Sequence, residues 1–78
     1  MVTHTESEFE RMYGPAATHS EHQIGDRLRY MYEGAPTVGT ILWVCAPAPE
    51  REMHLCYIVL NDERQYTDYV FPVHVLSS

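Results

Sequence analysis

The chain contains no lysine, and its five arginines stand against eleven acidic residues, for a formal net charge of −6. A surface of that sign repels phosphate backbones unless its cations cluster. Arg27 and Arg29 are close, but Arg11, Arg51 and Arg64 are scattered among acids. The balance argues against nucleic acid as a partner. Cysteine is as scarce: Cys45 and Cys56 are the only two, too few for a disulfide scaffold of the secreted kind. No charged-then-apolar run at the start reads as a signal peptide, and the longest apolar runs fall far short of a membrane span. The expectation is a small acidic protein, cytoplasmic, with no membrane partner. A Gly-rich phosphate loop is missing. His19-x-x-His22, with His4 upstream, has helical spacing but sits in a polar stretch that reads as linker. A metal site needs three or four rigid ligands, so solvated histidines are expected there.

What is present is apolar and aromatic. Hydrophobic residues make up 45%, with six Tyr, two Phe and one Trp. Seventy-eight residues make one domain. So short a chain buries a modest share of its surface, and association with a copy of itself or another protein would help to stabilise it. There is no internal repeat and no low-complexity segment.

Residues 1–23 read as a flexible tail or a short helix. Thr5 followed by Glu8 matches a capping box, Phe9, Met12 and Tyr13 fall on one helical face, and Gly14-Pro15 would end the helix. A helix this short is marginal alone, so a mobile tail is expected, with Ala16 to Gln23 as linker. Residues 24–78 read as the folded body. Arg27 to Tyr32 alternates, which places Leu28, Tyr30 and Tyr32 on one face of a strand. Glu33-Gly34-Ala35-Pro36 breaks it. Val38 to Cys45 is rich in β-branched and aromatic residues and apolar on both faces, with Gly39 where a strand bends or another backbone comes close. A strand of that kind has two cores, or a core and a partner. Ala46 to Glu52 is a loop with two prolines. Met53 to Leu60 is a third strand, again apolar on both sides, and Asn61 to Arg64 a polar turn. Tyr66 to Phe71 is a fourth strand, Pro72 a single tight helical turn, and Val73 to Leu76 a short fifth strand. The sum is an all-β chain: a small five-stranded barrel, closed or nearly so because closure removes exposed edges.

The order of strands and breaks is similar to that of SH3-like barrels. More narrowly, three segments resemble the plasmid-encoded type II dihydrofolate reductases over residues 24–76. They are Gly25-Asp26-Arg27-Leu28-Arg29, Gly39 to Cys45 with its Ile41 and Trp43, and Val70-Phe71-Pro72-Val73. The resemblance implies an SH3-like barrel behind a disordered tail. It also implies a tetramer whose central pore holds a pterin together with NADPH. In that family the function rests on a Lys just after the opening Arg and on a Gln-Ile-Tyr triplet before the Pro. Tyr30 stands at the first position here, and Tyr69-Val70-Phe71 at the triplet. Val70 keeps an apolar contact, Tyr69 replaces the amide, and Phe71 lacks the hydroxyl. Losing the positioning groups removes most of what lowers the barrier. Other SH3-like barrels, such as a subunit of nitrile hydratase and photosystem accessory proteins, serve as assembly modules.

Two functional expectations follow. The first is a non-catalytic protein-binding or assembly module, self-associating as a homo-oligomer and needing no cofactor. Its contact surface would come from the last long strand (Tyr66, Tyr69, Val70, Phe71) and the first (Tyr30, Tyr32). The second is a diverged type II dihydrofolate reductase using NADPH in an oligomeric pore. No catalytic residue is assigned. Cys45 and Cys56 flank the Pro-rich loop and would be cross-strand neighbours if it is centred near Glu50. Disulfide formation would then need Cα atoms within about 7 Å, and buried thiols acting as small apolar residues are the expectation.

Overall fold

The computed structural model describes residues 6–76. A helix, α1 (Glu6–Tyr13), precedes four strands: β1 (Arg27–Tyr32), β2 (Ala35–Cys45), β3 (Cys56–Asn61) and β4 (Thr67–Val70). They form one antiparallel sheet in the order β1-β2-β3-β4. Two single-turn 3-10 helices, Pro49–Arg51 and Pro72–His74, sit in the loops.

Each connection has a local cause. β1 and β2 are joined by Glu33-Gly34 alone, because Tyr32 already pairs with Ala35. Both turn residues have positive φ, 50° and 81°, the geometry of the two-residue turn that matches strand twist. The strand therefore resumes at Ala35, earlier than the sequence suggests. Pro36 is tolerated because it pairs only with Met31, at a register position beyond the end of β3, so its missing N–H breaks no ladder. Farther along β2, Gly39 leaves room for β3: a Cβ there would overlap the Leu60 carbonyl and the Val59 side chain. Leu42 is an extra residue between the Ile41–Val59 and Trp43–Ile58 pairs, a bulge that sharpens the bend. The turn after β3 is organised by Asn61, whose Oδ1 accepts from the Glu63 and Arg64 N–H groups, both at 2.9 Å. That local bond is the reason Asn suits such turns.

Alternation along the curled sheet makes two apolar layers. The inner one holds Leu28, Tyr30, Ile41, Val44, Tyr57, Val59 and Val70. The outer one holds Trp43, Cys45, Cys56 and Ile58, covered by Phe9 and Tyr13 of α1. Phe9 stacks on Trp43 with centroids 5.7 Å apart, and the Trp43 indole donates to the Gly14 carbonyl at 3.0 Å. The chain after the helix is tied down as well. Ala16 bridges Cys45, the Ala17 N–H donates to Val44 O, and the Ala46 N–H to Pro15 O. The segment read as a flexible tail or short helix thus contains that helix, whose Phe9 and Tyr13 cover the second face of β2 and β3, while Ala17 and His22 lie against the inner layer. The capping box at Thr5 lies outside the described residues.

The fifth strand expected at Val73 to Leu76 is reduced to one bridge. After the Pro72–His74 turn, Val75 bridges Tyr30, and the Leu76 N–H donates to Arg29 O at 2.8 Å. Among the described residues the sheet is four-stranded and open, and neither a fifth strand nor closure of a barrel is seen. The cause is Pro72, whose fixed φ and missing N–H turn the chain into the Pro72–His74 helix where the strand would otherwise continue.

Candidate functional site

The six aromatic and apolar residues named for a contact surface do not share one. Alternation sends them to opposite sides. Tyr30 is fully buried, and its hydroxyl donates to Asp68 Oδ2 at 2.7 Å. Val70 is buried in the inner layer. Neither can meet a partner, which corrects the expectation for both. Tyr32 and Tyr66 lie at the inner end of the sheet, one on either side of Arg64. Its guanidinium carbon sits 3.8 Å from the first ring centre and 4.9 Å from the second, close enough for cation–π attraction. Tyr69 and Phe71 point the other way, onto the outer face, and both are exposed.

The cluster around Tyr30 is structural. Asp68 is a buried carboxylate with three donors: Tyr30, the Asn61 amide at 3.2 Å and Arg64 at 2.5 Å. The same Asn61 amide reaches the Tyr30 hydroxyl and Thr37 Oγ1, each at 3.1 Å. Among the described residues no buried side-chain nitrogen or oxygen lacks a partner. Burial first, then the bond to Asp68, pushes the Tyr30 phenol up to about 12. The group stays protonated and holds β1 to the turn between β3 and β4. Tyr30 is therefore engaged wholly inside the sheet.

Tyr69 and Phe71 line a groove of about 470 Å³ on the outer face, beyond the end of α1. Met12 and Gly14 form one wall, the Arg51–His54 segment another, and Cys45 and Cys56 lie at the base. Tyr13 closes the helix side, its ring edge-on to Tyr69 at 5.9 Å. The Arg51–His54 wall comes from the loop: Met53 bridges Ala48 and Glu52 takes a left-handed φ of 55°. Met53, His54 and Leu55, read as the start of a strand, therefore belong to the loop, and β3 begins at Cys56. Met12, Met53, Tyr69 and Phe71 are all exposed around this groove, and Val73, 84% exposed, extends the apolar surface past Phe71.

No family model matches this chain, and neither does any curated protein or solved structure.

The groove has little reactive character at neutral pH. Burial, then the neighbouring Cys56, pushes the Cys45 thiol up to about 11, and burial also raises Cys56. Burial raises the Tyr69 phenol as well. Protonated thiols are poor nucleophiles. No three His, Cys, Asp or Glu side chains gather as a metal centre among the described residues. No helix among them is long and apolar enough to cross a membrane. Sequence reasoning missed the two methionines and the Arg51–Glu52 rim. Met12 shares a helical face with Phe9 and Tyr13, and that is the available signal. The role of Met53 depends on a loop geometry that alternation does not reveal.

Proposed function

We propose that the protein is a non-catalytic assembly module built on an SH3-like barrel, and that a second copy of the chain occupies the outer-face groove. The observation that carries this reading is the apolar surface around the groove: Met12, Met53, Tyr69, Phe71 and Val73 stay exposed although the rest of that face is covered by α1. Contiguous apolar surface of this kind marks an interaction site, and aromatic and methionine side chains are the types enriched at protein contacts. The barrel reading draws on the strand order together with the Pro72–His74 turn and the return of Val75 to β1.

Three features favour a copy over a foreign partner. A two-fold interface places the same patch on both sides, and Arg51 beside Glu52 on the rim supplies both signs for reciprocal pairing across that axis. The strand carrying Tyr69 is the last of the sheet and pairs only with β3 among the described residues, so it has an open edge as well as a side chain in the groove. Finally, a domain of this size gains most from covering such surface.

Sedimentation equilibrium over a wide concentration range tests the proposal. Reversible association is expected for the native chain. The double change Tyr69→Ser and Phe71→Ser, on exposed side chains, should give a monomer with unchanged circular dichroism. A native chain that stays strictly monomeric at the highest concentration overturns the reading, as does a double variant that associates equally well.

A further inference from the structure

The two thiols at the base of the groove face each other. Cys45 and Cys56 are direct partners in the β2–β3 register, and both point to the outer layer. The kind of pair follows from the other side of β2. There the Ala17 N–H donates to Val44 O at 2.8 Å and the Ala46 N–H to Pro15 O at 2.9 Å, flanking the Ala16–Cys45 bridge. Those bonds skip Cys45 itself, so its own N–H and C=O are directed at β3. Cys45 and Cys56 are therefore a hydrogen-bonded pair, with Cα atoms about 5.5 Å apart. That separation lies inside the range spanned by disulfides. Each residue is 7% exposed, and both line the groove, so a small reagent reaches them from one side.

We infer that Cys45 and Cys56 are a dithiol site that exchanges with small disulfides to form an intramolecular cross-strand disulfide. The oxidant is a low-molecular-weight disulfide, XS–SX. One cysteine, as thiolate, attacks a sulfur of XS–SX, forming a protein–SX mixed disulfide and expelling XS⁻. The second cysteine, deprotonated in turn, attacks the protein sulfur of that adduct and expels the second XS⁻. The protein loses two electrons and two protons, and XS–SX becomes two XSH. Cys56 is the better first attacker. Burial raises both thiols; at Cys56, whose Sγ–H donates weakly to Tyr57 O at 3.7 Å, a backbone hydrogen bond from Val70 offsets part of that rise, whereas at Cys45 the neighbouring thiol adds to it.

The register also sets the character of the bond. Side chains of a hydrogen-bonded pair start farther apart than those of a non-hydrogen-bonded one, while a disulfide wants its Cβ atoms about 3.8 Å apart. Closure draws the ends of β2 and β3 together at the root of the loop bearing Arg51, Glu52 and Met53. A bond formed under such tension is of the readily reduced, regulatory type. It does not rest on the self-association proposed above; because a second copy would cover the same groove, the exchange belongs to the dissociated chain.

The test uses the full, reduced chain, incubated with oxidised glutathione at mildly alkaline pH, quenched with a thiol alkylator and weighed intact. The expected product is a monomer lighter by two hydrogens that takes up no alkyl group, with Cys45 and Cys56 linked in one digest fragment. Mild dithiol reductant should restore both thiols without denaturant. Cys45→Ala, which keeps the first attacker and lacks the second, should instead accumulate the glutathione adduct. Two alkylated thiols after prolonged incubation, a wild-type chain that stops at the adduct, or disulfides only between chains would each overturn the inference.

Discussion

Tyr30→Phe removes one oxygen from the inside of the sheet and tests whether the Asp68 cluster holds the fold. The lost hydroxyl donates to a buried carboxylate at 2.7 Å and accepts from Asn61 at 3.1 Å. A hydrogen bond to a charged group contributes about 1.5–3 kcal/mol. Asp68 keeps the Asn61 and Arg64 donors, and Asn61 keeps Thr37, so the lower half of that range applies: about 2 kcal/mol. For a domain of this size each kcal/mol moves the melting temperature by about 4–8 °C, and a fall of roughly 10 °C is expected. Urea denaturation at neutral pH gives the same quantity directly, provided the slope is unchanged. The alkaline limb supplies a second check. The folded phenol titrates at about 12 against 10.0 for an unperturbed tyrosine, so the folded state binds this proton more tightly than the unfolded one. Its contribution is intact below pH 10 and is lost as pH rises towards 12. Other raised groups titrate in the same region, so the difference between wild type and Tyr30→Phe isolates this residue. The variant should start lower and fall less steeply between those limits. A loss under about 0.5 kcal/mol, or parallel alkaline limbs, would show that the hydroxyl does not hold the cluster.

Three further outcomes are expected. Gly39→Ala pushes a methyl into the Leu60 carbonyl and the Val59 side chain; it should cost about 3 kcal/mol or abolish folding, read as soluble yield and urea midpoint. Phe9→Ala removes the ring stacked on Trp43; because Phe9 is only partly buried, the cost should be about 2 kcal/mol rather than the larger figure for a fully buried Phe. It should also bring a red shift of Trp43 emission and faster amide exchange in α1, and an unchanged emission spectrum would mean that the helix does not cover the indole. Dihydrofolate-dependent oxidation of NADPH should be undetectable, since Tyr30 and Val70 face the inside; turnover abolished by Phe71→Ala would refute the non-catalytic reading.

Much of the sheet was legible because its strands obey simple alternation. Arg27 to Tyr32 is recognisable by its charge-and-apolar pattern, and that parity puts Tyr30 on the face of Leu28, but the pattern alone leaves Tyr30 assigned to a contact surface instead of the interior. The two-faced apolar character of β2 and β3 allows two cores, or a core and a partner; the covers in place are the inner layer and α1. Their identity was not legible. Eight residues of helix have no stability of their own, and nothing local says that Phe9 meets Trp43, far along the chain. The entry to β2 was misplaced because Pro36 reads as a breaker, whereas the turn leaves it where no N–H is required. The site was half legible: Tyr69 and Phe71 lie at the groove, but Met53 reaches it only through the left-handed Glu52.

The helix that shields Trp43 precedes, in chain order, every strand it covers. Phe9 and Tyr13 have no surface to settle on until β2 and β3 pair, so the lid waits, unsatisfied, for the vessel it fits. Chains that must close long loops before being rewarded fold late and expose sticky intermediates on the way. Until those strands meet, one small aromatic cluster stays open to mistaken contacts.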